Sequence, residues 1–74
     1  MKTIALIEGG NGESYSIYTP NLSNHTIVGI GNTLQEAKED FYEAYNEMKL
    51  SYTERGEALP DELVDTEFEF KEAE

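Results

Sequence analysis

Three features of this sequence are of kinds that carry chemistry. In the stretch TIVGIGNTLQEAKEDFYEAY, Gly29 and Gly31 stand one residue apart just ahead of a helical pattern, the layout of many phosphate-cradling loops. Beyond them Glu39, Glu43 and Glu47 recur at four-residue steps, and Glu36 and Asp40 form a second such pair. His25, the sole histidine, lies in the polar run NLSNH.

Each feature makes a demand on its surroundings. A phosphate loop needs free amides at the helix start and usually a Lys or Arg nearby. Here Thr33-Leu34-Gln35-Glu36 fits a capping box, which would consume those amides, and Glu36, Glu39 and Asp40 surround them. Gly29 and Gly31 therefore read as backbone devices. Two-metal phosphoryl transfer needs carboxylates converging on one point, one of them inside a central strand. The first strand carries Ile4, Ala5, Leu6 and Ile7 there, with Glu8 only at its end. His25 has no paired acid or nucleophile in an interpretable motif and reads as a loop residue. The residues thus predict no catalytic group, no metal, no cofactor and no enzyme. The glutamate row remains; like charges four residues apart on a helix cost about 0.2–0.5 kcal/mol per pair. Either it is a solvated face or it meets a basic surface.

Charge points the same way. Sixteen acidic against five basic residues give a formal charge of −11, spread along the chain. Lys2, Lys38, Lys49, Arg55 and Lys71 never cluster, which disfavours nucleic acid and anionic membranes and would draw in a basic partner. The apolar run Ile4 to Ile7 is too short for a signal peptide or a membrane span, so a cytoplasmic location is expected. With 74 residues there is room for a single domain, 1–74, that buries only roughly 60% of its unfolded surface. No cysteine is present to staple it, and a homodimer is the expected route to added stability.

The elements that must position these residues follow from periodicity. KTIALIE is a β-branched and aliphatic run ending at Gly9-Gly10-Asn11-Gly12, a hairpin turn. SYSIYT places Tyr15 and Ile17 on one face and Ser16 and Tyr18 on the other until Pro20 ends it. TIVGI is a third strand, with Gly29 where a bulge or close packing is expected. These three read as an antiparallel meander. Leu34, Ala37, Phe41, Ala44, Tyr45, Met48 and Tyr52 then mark one apolar stripe of a helix of about five turns, stopped at Gly56. Leu59-Pro60 predicts an extended connection. VDTEFEFK alternates, with Val64, Thr66, Phe68 and Phe70 on one face and Asp65, Glu67, Glu69 and Lys71 on the other. The order βββαβ predicts a small α+β fold, a mostly antiparallel four-stranded sheet with its first strand inside and one long helix on one face. Tyr15, Tyr18 and neighbours in the third strand are expected on the uncovered face, the first binding candidate.

The strings YTPNL, with Tyr18, Pro20 and Leu22, GNTLQEA from Gly31 to Ala37, and RGEALPDEL occur in an order and spacing that resembles the N-terminal domain of HicB-like antitoxins. The resemblance covers most of the chain and implies a partial RNase H-like sheet. It also implies a non-catalytic antitoxin that neutralises a HicA-like toxin, a small basic RNA-cleaving protein. Ser23-Asn24-His25 replaces the family's Pro-Gly-Cys loop. Members usually continue into a DNA-binding segment, and none follows the fourth strand here, so direct nucleic-acid binding is not expected of this chain. The partner-binding residues expected are Tyr15, Tyr18, Asn21 and Leu22 for specific contacts, with Glu39, Glu43 and Glu47 for long-range attraction. The alternative is a stand-alone assembly or regulatory domain with the same fold and no toxin.

Overall fold

The computed structural model describes residues 2–10, 12–22, 26–64 and 66–73. Strands β1 (Lys2–Gly9), β2 (Tyr15–Tyr18) and β3 (Val28–Gly31) precede helix α1 (Leu34–Glu54), and a single 3-10 turn (Asp61–Leu63) leads into β4 (Glu67–Glu72). The strands lie in the order β3-β2-β1-β4. β1, β2 and β3 form the expected antiparallel meander, and β4 runs parallel to β1. The parallel pairing follows from connectivity. β3 already runs in the direction of β1, and the helix carries the chain back so that β4 starts from the same end, as parallel crossovers require.

Alternation sorts the side chains onto two faces. Register pairs Ile7 with Ile17 and Ile17 with Gly29, and it pairs Thr3 with Phe68 and Ala5 with Phe70; this is the helix side. Lys71, Leu6, Tyr18 and Val28 form a cross-strand row on the other side. The core between sheet and helix consists of Ala5, Ile17, Leu22, Ile27, Ala37, Phe41, Tyr45 and Leu63, with Phe68 and Phe70 packed against it.

The helix sits unevenly on the sheet. A Cβ at Gly29 would lie 2.5 Å from the Ala37 carbonyl oxygen and from the Phe41 nitrogen, and one at Gly31 would lie 2.5 Å from the Ala37 nitrogen. Of the two alternatives the sequence leaves at Gly29, a bulge or close packing, it is close packing, and Gly31 shares it; together they let the helix backbone rest directly on β3. Toward β4 the gap is wider and aromatic rings fill it. Phe41 meets Phe68 and Phe70 edge-on at centroid distances of 4.8 and 5.6 Å, and Tyr45 meets Phe68 at 5.0 Å. Such edge-to-face pairs add about 0.5–1.5 kcal/mol each beyond area burial.

The helix ends are closed as the sequence predicts at both termini. The Glu36 amide donates to the Thr33 hydroxyl at 3.1 Å, and the Glu36 carboxylate accepts from the Thr33 and Asn32 amides at 3.2 and 3.1 Å. At the far end Gly56 takes φ +70°, and the Glu57 and Gly56 amides donate back to Tyr52 and Thr53 carbonyls in a Schellman arrangement. After it the expected extended connection is partly replaced. Pro60 caps the 3-10 turn, Leu63 is fully buried, and its carbonyl accepts the Tyr45 hydroxyl at 2.7 Å. β4 accordingly starts at Glu67 and not at Val64, which is exposed. Asp65, expected on the wet face, lies outside the described residues. Among the described residues no helix is long and apolar enough to cross a membrane.

Candidate functional site

The β2–β3 connection is held by side chains where the ladder stops. Thr19 is buried and its hydroxyl accepts the Ile27 amide at 3.0 Å, standing in for a ladder bond just before Pro20. The Thr26 hydroxyl donates to the Leu22 carbonyl at 3.0 Å. Leu22 itself is buried at 4% exposure. The expectation that Leu22 contacts a partner is therefore corrected. It is an apolar member of a small core. Asn21 remains exposed at the turn. Ser23, Asn24 and His25 lie outside the described residues, and the reading of His25 with them.

Tyr15 is also relocated. It shares the helix side with Ile17, lies opposite Gly31, and its ring packs over Gly10, where an added Cβ would come within 2.8 Å of Cε1. The alternation that puts Tyr15 with Ile17 also takes it off the uncovered face. Tyr18 is on that face, half-buried, beside Val28 and across from Leu6.

The larger apolar groups on this face come from β3. Val28 and Ile30 are 46% and 57% exposed. In most amphipathic strands the large side chains turn toward the core; here Gly29 and Gly31 occupy the core side because the helix backbone rests on them, so Val28 and Ile30 must face away. Together with Tyr18, Leu6 and Ile4 they form an apolar field on the sheet face opposite the helix.

Around the edge of β3 the chemistry changes. A groove between β3 and the helix is lined by Ser14, Ile30, Gly31, Asn32, Glu36, Glu39, Asp40 and Glu43. The Asp40 carboxylate accepts the outward amide of Ile30 at 2.9 Å, occupying one of the donors a further strand would need at that edge. Glu39 and Glu43 also border a second depression along the helix, with Tyr42, Asn46, Glu47 and Leu50. Glu39, Glu43 and Glu47 are all exposed and form one strip joining the two. The helix's basic side chains do not neutralise it. Lys38 sits over the Phe70 ring at 4.9 Å, Lys49 over Tyr45 at 4.5 Å, and Arg55 over Tyr52 at 4.8 Å. One helix flank is thus acidic toward β3, and the other carries cations toward β4.

Among the described residues no group of three or more His, Cys, Asp or Glu side chains could hold a metal ion. Glu8 is exposed near the end of β1, and Ile4, Ala5, Leu6 and Ile7 fill the strand before it. Sequence reasoning missed Tyr42, Leu50 and the clamp from Asp40. The available signal was the alternation Val28-Gly29-Ile30-Gly31, which places two β-branched residues on the face opposite two glycines. No protein-family model, no curated protein and no solved structure matches the chain.

Proposed function

We propose that this chain is a non-catalytic, antitoxin-like binding module that captures a small basic protein, of the HicA-like RNA-cleaving kind, across the β3 edge. The observation that carries the reading is a juxtaposition at Ile30. Its side chain belongs to the exposed apolar field with Val28 and Tyr18, and it also lines the groove that holds Glu36, Glu39, Asp40 and Glu43. A basic amphipathic surface fits both halves: apolar anchors on one side of the edge, cations on the other. The division of labour is physical. Exposed rim charges mainly accelerate encounter, while desolvated apolar anchors slow dissociation. The small α+β sheet with one helix supports the partial RNase H-like reading, and the absence of a carboxylate within the middle of β1 supports a role without turnover.

The test is co-expression with a basic protein encoded beside this chain, followed by pull-down and growth rescue. The expected result is a complex, rescue of growth, and loss of both on replacing Val28 and Ile30 with serine. A stand-alone assembly or regulatory role is the second reading, favoured by the position of β4 at the end of the sheet, where among the described residues nothing pairs with its outer side. Failure to recover any basic partner, with no rescue, would replace the first reading with the second.

A further inference from the structure

The two edges of the sheet are treated differently. At β3 the strand is four residues long and Asp40 occupies the Ile30 amide. At the other end β4 is six residues long, and among the described residues no group bonds its outer side. Which of its groups point outward is fixed by the pairing inside. The Ala73 amide donates to the Ile7 carbonyl at 2.8 Å, so Ala73, Lys71, Glu69 and Glu67 direct their backbone groups to β1. The amides and carbonyls of Phe68, Phe70 and Glu72 alternate with these and face outward.

We infer that β4 pairs with β4 of a second copy of this chain, antiparallel about a two-fold axis at Phe70, making a continuous eight-stranded sheet. Charge complementarity selects this register. With Phe70 opposite itself, Glu69 on the open face stands opposite the partner's Lys71, and Lys71 opposite the partner's Glu69. On the helix side the partner's Glu72 stands opposite Phe68, next to the Phe70 ring that Lys38 covers. Sliding the strands to put the axis at Glu69 sets two glutamates face to face, and moving it to Lys71 does the same with two lysines. An axis at Phe68 opposes Glu67 to Glu69. Only the Phe70 register avoids like charges directly opposite one another, which are destabilising in cross-strand pairs. It also matches the outward amides, since Phe68, Phe70 and Glu72 all meet outward-facing residues and form roughly six ladder hydrogen bonds. The Lys71 ammonium is available for this. Its intrachain contact with Glu69 is at 3.8 Å between half-exposed side chains.

This pairing leaves the β3 edge untouched, so it stands or falls independently of the proposed partner. The experiment is sedimentation equilibrium on the full chain, with Glu69→Lys, Lys71→Glu, the double swap, and Glu72→Pro. The wild type is expected to dimerise in the high micromolar range. Each single swap puts like charges opposite at two symmetric positions and weakens the dimer about tenfold, and the double swap restores it. Glu72→Pro removes an outward amide without touching the β1 ladder and also weakens it. Amide exchange at Phe68, Phe70 and Glu72 slows as concentration rises, whereas Lys71 and Glu69 amides are protected at all concentrations. A monomer at high micromolar concentration would overturn the inference. So would single swaps without effect, a double swap that fails to restore association, or exchange at the even-numbered amides that ignores concentration.

Discussion

Replacing Gly29 with alanine tests the seating of the helix, on which both surfaces depend. The new Cβ would lie 2.5 Å from the Ala37 oxygen and the Phe41 nitrogen, and 2.6 Å from the Phe41 Cα, all backbone atoms that cannot swing aside. Reaching ordinary contact at 3.4 Å requires the helix to retreat by about 0.9 Å, which loosens Phe41 against Ile17. Overpacking of this kind costs about 3 kcal/mol at the upper end of its usual range. Restricting the unfolded chain returns roughly 0.4–1 kcal/mol, so the net loss is about 2 kcal/mol. For a 74-residue chain with total stability of roughly 4–11 kcal/mol this is a large share. Thermal unfolding by circular dichroism should show a midpoint lower by roughly 8–16 °C. Gly12→Ala is the control. Nothing lies within 4 Å of its Cβ, although its φ of +82° makes alanine cost about 1 kcal/mol. A Gly29→Ala midpoint within about 3 °C of wild type would refute the close seating, because the clash would then be absorbed without loss.

Tyr45→Phe removes the hydroxyl that donates to the buried Leu63 carbonyl, and should cost about 1–3 kcal/mol by urea unfolding, with amide exchange in the 3-10 turn accelerated. Replacing Glu39, Glu43 and Glu47 together with glutamine should raise helix stability by a few tenths of a kcal/mol per relieved pair, while lowering the association rate with a basic partner and flattening its salt dependence. Tyr18→Ala should act in the other phase, raising the dissociation rate at a cost of about 1–3 kcal/mol in affinity; a change confined to association would contradict its role as an anchor. The purified chain should cleave neither RNA nor RNA–DNA hybrids with Mg²⁺ or Mn²⁺, and turnover that disappears on Glu8→Gln would count against the non-catalytic reading.

Much of the fold was legible because its signals are local. The capping box needs only Thr33 and Glu36 at the right spacing, and the helical stripe needs only the recurrence of Leu34, Ala37, Phe41 and Tyr45. The interior position of β1 followed from apolar residues on both of its faces. What was not legible depends on distances between elements. The parallel pairing of β4 and the burial of Leu63 come from how far the chain must travel after the helix, which no short window contains. Leu22 in a polar run looked exposed, because its burial goes with bonds at Thr19 and Thr26 that link residues up to eight apart. At the candidate site the acidic row was read directly from its spacing. The apolar half was read only in part, because the side that Val28 and Ile30 face is decided by the helix pressing on the glycines between them.

That same asymmetry explains why a chain this acidic holds its charge in two unlike flanks. Where the helix backbone meets β3, no room exists for side chains between them, so residues on that flank of the helix project past the sheet edge. Carboxylates suit that position, since one of them, Asp40, takes the outward Ile30 amide at the edge. Where the helix stands away from β4, the gap admits rings, and rings in turn offer faces to Lys38 and Lys49. Cations resting on aromatic faces gain about 0.5–1 kcal/mol when exposed and cover apolar area with their methylene stems. They are thereby held on the β4 flank, away from the carboxylates near β3. A basic partner approaching this molecule would be oriented by that separation before contact, toward the edge where Ile30 and Val28 are exposed. Alanine at Gly31, which would push the helix off β3 near its start, should therefore disturb recognition as well as stability, although no acidic side chain is removed.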